Sequence, residues 1–337
     1  MKRAFSSQEG SSLSPRFSAR IIVLAIILLP ACNEQFDPRA PLDQEMIVYS
    51  VLSTDRNVQI VRIQSSYMPP DFNALSYTSD NSITDAIVSI KESNKTYRLR
   101  DTLLARDDSS RYKFPMAAYY LSSFTPQRSK SYQVIVQSPS FGQVSSSVIV
   151  PDRPQISLSA TMTQILDRPD RSPQDARIIF IVQLSKNAKG YVGRLLLYYD
   201  VLKGSEWVEE RVEIPVTSAD SSNYSLDYPQ YPRLAIAPGT SQVGLIYKNG
   251  YYRGILNILN SQYKSTRMIF KWATLVLLQT DQNLFNYYSA THGNQDPFSI
   301  RLDEPMLSTV SGGLGMVGAY TVDSLVDILP ENFWGNR

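Results

Sequence analysis

The sequence predicts a mainly β protein built from two β-rich domains in tandem. Short β-prone runs without helical periodicity recur at intervals of about ten residues, and polar turns separate them. This is the pattern of a β-sandwich. The segment from Pro151 to Pro154 divides these runs into two sets, and proline both fixes φ and removes a ladder donor. A single helical pattern, near Asp281, interrupts the second set.

The first predicted domain covers residues 42–152. Its clearest strand is 86–91, where Ala86, Val88 and Ile90 alternate with Ile87, Ser89 and Lys91, because successive side chains of a strand face opposite sides of the sheet. Further strands are predicted at 46–52, 132–136 and 144–150.

The second predicted domain covers residues 153–337. Asn249-Gly250 follows the apolar run 243–247 and precedes the run 251–259, and both residues tolerate the positive φ of a type I′ turn, so a hairpin is predicted there. Asp281 is a capping residue for a helix with the apolar stripe Leu284, Phe285 and Tyr288, and Gly293 ends it. Other strands are predicted near Ile156 and at 177–184, 194–202, 208–216, 268–279, 300–305 and 315–328.

The first 31 residues have the layout of a signal peptide. Four basic residues precede the apolar core 21–29, which is too short for a spanning helix because spanning takes roughly 20 residues. The core ends in Leu29-Pro30-Ala31-Cys32, the pattern of a bacterial lipoprotein cleavage site. We therefore expect Cys32 to carry a diacylglycerol and a third acyl chain such as palmitate, with residues 32–41 as a lipidated tether.

Composition excludes several classes of function. Cys32 is the only cysteine, so no disulfide forms, and acylation leaves no thiolate for a metal site or a nucleophile. The chain has 33 Lys and Arg against 31 Asp and Glu, a net +2, but the leader alone carries +3. The mature part is then about −1, which excludes an electrostatic surface for nucleic acid.

The residues offer few candidates for catalysis or for metal binding. His292 is the only histidine and falls in the last turn of the predicted helix. Ser261-Gln262-Tyr263-Lys264 matches S-x-x-K without the accompanying S-D-N and K-T-G motifs, and it is predicted to lie in a loop between strands. We expect no enzyme, no cofactor and no metal, and a carbohydrate-active hydrolase with two distant carboxylates stays the alternative.

Tyrosine provides the candidate binding residues. Tyrosine doublets occur at 119–120, 198–199, 251–252 and 287–288, and in a strand such a doublet places one ring in the core and one on the surface. The loop 223–238 is long and rich in proline, and its Tyr224, Tyr228 and Tyr231 are predicted to bind a glycan or peptide ligand.

Four features together resemble the bacterial lipoproteins of domain-of-unknown-function family 4249. These are the lipobox 29–32, the opening strand 47–52, the succession 132–136, 144–150 and Pro151, and the ending Asp296-Pro297-Phe298 with Gly312-Gly313-Leu314-Gly315-Met316-Val317-Gly318. The chain departs from that pattern near Thr309, Val317 and Ser50, where Asn, Phe and Gly are usual.

The resemblance implies an Ig-like first domain and an outer-membrane lipoprotein encoded beside a TonB-dependent transporter. We therefore expect a lipid-anchored envelope protein with a non-enzymatic binding or accessory role, on the periplasmic or the surface face of the outer membrane. A purely structural envelope component is the third alternative.

Overall fold

The computed structural model describes residues 42–69, 77–107, 109–110, 112–158, 177–214, 235–236, 242–264, 266–292 and 308–328. Within these ranges the chain is mainly β, as predicted, with sixteen strands and two helices. The described residues from Gln44 onward belong to one compact unit.

Eight strands form an Ig-like sandwich. One sheet has the order β5-β6-β2-β1, the facing sheet has the order β4-β3-β7-β8, and all neighbours within these two sets are antiparallel. This is the strand order of the two sheets of an immunoglobulin domain. The strands are β1 (Met46–Ser53), β2 (Val58–Ser65), β3 (Ile87–Glu92), β4 (Lys95–Arg98), β5 (Arg100–Leu104), β6 (Met116–Ser122), β7 (Ser131–Ser138) and β8 (Gly142–Ile149).

Alternating apolar residues of both sheets fill the first core. Val48 and Val61 from one sheet and Val134 from the other are almost completely buried there. Tyr132, at the start of β7, is also buried, and its hydroxyl accepts a hydrogen bond from the backbone N–H of Gln127 at 2.8 Å. This is the tyrosine corner of immunoglobulin-like domains, which satisfies a polar group at the edge of the core.

In the second half, strands of order β12-β11-β15-β16 face the sheet β14-β10-β9, with β13 beside β11. Because β16 also pairs with β1, these strands and β5-β6-β2-β1 form one nine-stranded sheet, whose parts are named the second sheet and the first sheet. Side chains such as Phe180 and Leu197 meet between the two sheets, and Ile255 and Leu259 of the first helix complete this core. The elements are β9 (Gln155–Leu158), β10 (Arg177–Gln183), β11 (Gly190–Lys203), β12 (Glu206–Ile214), β13 (Ala235–Ile236), β14 (Gln242–Lys248), α1 (Asn249–Gln262), β15 (Met268–Thr280), α2 (Gln282–His292) and β16 (Leu314–Ile328).

The last strand, β16, belongs to both halves. Its first part pairs in parallel with β1, from Ile47 opposite Leu314 onward, and its second part pairs antiparallel with β15. Tyr320 lies at the change, opposite both Ser53 and Thr280. The two cores are separate clusters, but Val317 and Ala319 of β16 belong to the first. The domain boundary at residues 152–153 stays a prediction.

The hairpin predicted at Asn249-Gly250 is wrong, because these residues begin helix α1. Ile255 and Leu259, one helical turn apart, are buried, whereas Asn257 and Asn260 are exposed, which is a period of 3.6 and not of 2. Asn is favoured at helix starts as well as in turns, so the same residue fits both structures. Ser261 consequently lies in the last turn of this helix and not in a loop between strands.

Other predictions are confirmed. Helix α2 follows Asp281 directly, and the predicted strands at 46–52, 132–136, 194–202 and 268–279 coincide with β1, β7, β11 and β15. Gly315, the second residue of β16 (φ +113°), marks a close backbone approach, since a Cβ there would clash with the carbonyl oxygen of Val48. The predicted strand 300–305 lies outside the described residues.

Candidate functional site

The predicted site residues Cys32, Tyr224, Tyr228 and Tyr231 all lie outside the described residues, so lipidation and the tyrosine loop stay predictions. His292 is the last residue of α2, as predicted. In the part of the chain that the structure describes, no group of three or more His, Cys, Asp or Glu side chains could hold a metal ion.

A cleft of about 270 Å³ opens on the outer face of the first sheet, the face turned away from the first core. Val51, Val58, Ile60 and Met316 line it with apolar atoms. The outer face of an exposed sheet is normally polar, yet Val58 and Ile60 are 39 % and 37 % exposed. Further lining residues are Tyr49, Ser50, Ser53, Arg56, Gln59 and Tyr320.

Gln59 holds the turn between β1 and β2 at one end of the cleft. Its side chain is almost completely buried, and its amide donates to the carbonyl oxygens of Ser53 (3.2 Å), Arg56 (2.9 Å) and Phe124 (3.3 Å). Its Oε1 accepts the N–H of Ser53 at 2.9 Å. One side chain thus hydrogen-bonds backbone groups of Ser53 and Arg56 in the turn and of Phe124 outside it, which fixes Ser53 and Arg56 in the lining.

Tyr49 and Tyr320 are the aromatic members of the lining. Burial raises the pKa of both phenols, and a hydrogen bond with Tyr287 of α2 also raises the pKa of Tyr49. Both hydroxyls therefore stay protonated at neutral pH and can donate hydrogen bonds. Tyrosine joins a large apolar face to a polar tip, which is useful where a ligand has both apolar and polar parts.

Helix α2 lies on the same outer face, held against β16 by Asp281. The Asp281 carboxylate accepts the N–H groups of Leu284 and Ala319, both at 3.0 Å, so it caps the helix and links it to the strand. Burial raises the pKa of Asp281 to about 6, against the opposing effect of these hydrogen bonds. Gly318 lets the helix approach closely, since a Cβ there would lie 2.7 Å from the Cβ of Leu284.

The tyrosine doublets divide between core and surface where they lie in strands. Tyr119 and Tyr199 are buried, and their neighbours Tyr120 and Tyr198 are partly exposed. Tyr198 stacks on Trp272 with ring centroids 5.5 Å apart. The interpretation of these doublets as ordinary strand aromatics is therefore the correct one for both pairs.

The half-buried carboxylate of Glu210, in the second half, contacts three neighbouring side chains. The Oε2 atom of Glu210 accepts the hydroxyls of Tyr263 (2.7 Å) and Tyr199 (3.2 Å), and its Oε1 atom contacts the ammonium of Lys203. These contacts, led by Lys203, lower the pKa of Glu210. A carboxylate that stays ionised is not suited to act as a general acid at neutral pH.

The cleft was missed by the sequence analysis, because its lining joins the consecutive strands β1 and β2 to β16, which lies near the other end of the chain. One signal was present: β2 carries apolar residues on both faces, with Val58 and Ile60 on one and Val61 and Ile63 on the other. A strand that is apolar on both sides is typical of one that is covered on both sides. Among the described residues, no helix has the length and apolar character to cross a membrane.

Comparison with solved structures gives distant similarities only. The C-terminal globular domain of an oligosaccharyltransferase from Pyrococcus abyssi is 10 % identical with a TM-score of 0.20, over 70 % of this chain and 48 % of that one. A chitinase from Bacillus thuringiensis is 9 % identical with a TM-score of 0.16, over 63 % of this chain and 28 % of that one. This chain therefore spans less than half the length of either protein.

None of the curated proteins matches the chain significantly. The family comparison is positive: the model described as Domain of unknown function (DUF4249) matches residues 33–325, which is most of the sequence. The match includes the Ig-like sandwich, the cleft and nearly all of β16. On this evidence of sequence and extent, the chain belongs to the DUF4249 family.

Proposed function

We propose that this protein is a lipid-anchored envelope protein with a non-enzymatic binding role, in which the cleft on the first sheet takes a nutrient ligand or a segment of a partner protein. The observation that supports this best is the apolar cleft itself, because exposed apolar clefts rimmed by polar groups are typical of binding sites. The tyrosines and Arg56 supply the few polar groups that would orient a ligand.

The lipid anchor would hold the protein at a membrane, and we propose that this is the outer membrane. The lipobox ending in Cys32 supports the anchor, and a TonB-dependent transporter is the partner that we propose for an accessory role. In the Cys32→Ser variant, the full chain should move from the detergent phase to the aqueous phase and lose incorporation of labelled fatty acid. Wild-type protein that stays aqueous without labelling would reject the anchor.

Capture by mild crosslinking of the anchored protein tests the binding role. We expect Val51→Trp, which fills the cleft from its floor, to reduce crosslinking to the transporter or capture of ligand at least tenfold. The matched control is Ile149→Trp, at an exposed position of β8 on the opposite sheet.

A third variant distinguishes the cleft from the tyrosine loop. If changing Tyr224, Tyr228 and Tyr231 together to Ala abolishes capture while Val51→Trp does not, the loop is the binding site and the cleft is not. Turnover of a glycan that is lost on changing one Asp or Glu would instead support the hydrolase alternative.

A further inference from the structure

The outer face of β2 continues past the cleft to an arginine. Val58, Ile60 and Arg62 are alternate residues of one strand, so all three lie on the same face, with Arg62 about 7 Å beyond Ile60. Arg62 lies directly opposite Tyr49 of β1, which lines the cleft. Arg62 therefore follows the apolar floor on the same face of the strand.

The Nε atom of Arg62 lacks a hydrogen-bond partner among the residues that the structure describes. This atom is also buried. Asp80 is the carboxylate whose charge acts on it, but Asp80 accepts the N–H of Ser82 at 3.0 Å and forms no ion pair with Arg62 within the described residues. A buried charged donor without an acceptor is unfavourable, so an acceptor from outside the chain would stabilise it.

A second guanidinium lies nearby. Arg106 is held in place by a hydrogen bond from its Nε to the carbonyl oxygen of Phe114 at 2.9 Å, and its Cζ lies 4.8 Å from the ring centre of Tyr112 and 5.3 Å from that of Phe114. Burial first, and the positive charge of Arg106 second, lower the pKa of Arg62. The positive charge of Arg106 therefore disfavours the charged form of Arg62, and an anion that contacts both groups would offset this effect.

We propose that Arg62 and Arg106 form an anion-binding site at the end of the cleft, and that the ligand is an organic anion whose carboxylate or phosphate they hold while its apolar part lies in the cleft. This inference rests on the proposed binding role of the cleft. Guanidinium groups suit both anions, because their planar donors match two oxygens at once. An uncharged sugar would supply hydrogen bonds but would leave the effect of Arg106 on Arg62 in place.

Calorimetric titration of the purified full chain in detergent tests the proposal with three matched probes: 3-phenylpropionate, 3-phenylpropyl phosphate and the neutral 3-phenylpropanol. We expect the anions to bind at least tenfold more tightly than the alcohol. Arg62→Gln should remove that advantage without changing the affinity for the alcohol, and Arg62→Lys should keep part of it. Arg98→Gln, an exposed arginine on β4 of the opposite sheet, is the control and should change nothing.

The titrations separate this inference from the proposed function. Equal binding of anions and alcohol by the wild-type chain overturns the anion site and leaves the cleft as a binding site. If none of the three probes binds, inorganic phosphate decides: binding that Arg62→Gln abolishes supports the anion site without the cleft, and absence of phosphate binding overturns both. Should Arg106→Gln fail to fold because it loses the contact with Phe114, the Arg62 variants alone give the answer.

Discussion

The two parts of the nine-stranded sheet, on either side of β16, differ in how the charges of their outer faces are paired. In the second sheet, Arg194 pairs with Glu213 at 2.6 Å, and Lys271 pairs with Glu209 at 2.9 Å and with Asp200 at 3.3 Å. In the first sheet, Tyr49, Val58 and Ile60 are exposed, and Arg62 has no carboxylate partner among the described residues. The outer face of the second sheet is therefore self-neutralised, which means that its charges pair with one another, whereas that of the first sheet is not.

This difference in charge pairing is consistent with the binding site that we propose on the first face. Cross-strand ion pairs neutralise the charges of the second face, and Tyr198 stacks on Trp272, although Ile269 (46 %) and Val326 (57 %) are exposed there. A beta bulge contributes to this, because the register shift between Tyr198 and Tyr199 leaves Lys271 unpaired on the strand, with its ammonium 4.5 Å from the centre of the Trp272 ring. The first face differs in its charge, because the Nε atom of Arg62 has no acceptor among the described residues.

The largest expected effect is on the turn that closes the cleft. Gln59→Ala removes four hydrogen bonds from buried backbone groups, and we expect it to lower the free energy of unfolding by about 4 kcal/mol. Denaturant titration measures this, with Gln64→Ala, a half-buried residue of the same strand, as the control. A loss below about 1 kcal/mol would show that the turn is held by other contacts.

Asp281, which holds α2 on the first face, should make the stability of the fold depend on pH. Its folded-state pKa of about 6 lies above its ordinary value of 3.8, so the folded chain binds this proton more tightly than the unfolded chain. The stabilisation that this proton gives the folded chain is complete below about pH 4 and is lost as the pH rises through 6. The free energy of unfolding changes by about 3 kcal/mol over this range.

Asp281→Asn is the matched variant, because it keeps an oxygen for the N–H groups of Leu284 and Ala319 but cannot titrate. The difference in unfolding free energy between wild type and variant should therefore fall as the pH rises from 4 to 7. A flat difference over this range would contradict the raised pKa.

The contact between α2 and β16 should be sensitive to a single methyl group. Gly318→Ala places a Cβ 2.7 Å from the Leu284 Cβ and 3.0 Å from its backbone nitrogen, so the helix must shift, at a cost of about 2 kcal/mol. Thermal unfolding measures the loss. Gly244→Ala is the control, since a Cβ there meets nothing within 4 Å, and equal losses in both variants would argue against tight packing of α2.

The smallest effect is expected on the self-neutralised face. Glu213→Gln removes the partner of Arg194, which is 46 % exposed, and solvent screening limits the loss to less than about 0.5 kcal/mol. Ligand capture should be unchanged. A reduction of capture as large as that of Val51→Trp would remove the distinction between the two faces.

The strands and α2 were predictable because their signals are local. In β1 and β7 the alternation of side chains is complete within eight residues, and Asp281 precedes the apolar stripe of α2 as a capping residue should. For α1 the local signals conflicted, since Asn249-Gly250 fits a turn and the aromatic and branched residues after it favour a strand. Burial of Ile255 and Leu259 against the second core resolves this conflict in favour of helix.

The sequence alone determined the β class, most strand positions and the cap of α2, because each depends on neighbours within about ten residues. Tertiary structure decided α1, the parallel pairing of β1 with β16 and the cleft. That pairing joins Ile47 to Leu314 across most of the chain, and its register brings Met316 and Tyr320 beside Tyr49 and Ile60. Such contacts depend on long-range packing, and no local pattern of side chains specifies which distant strand fills that place.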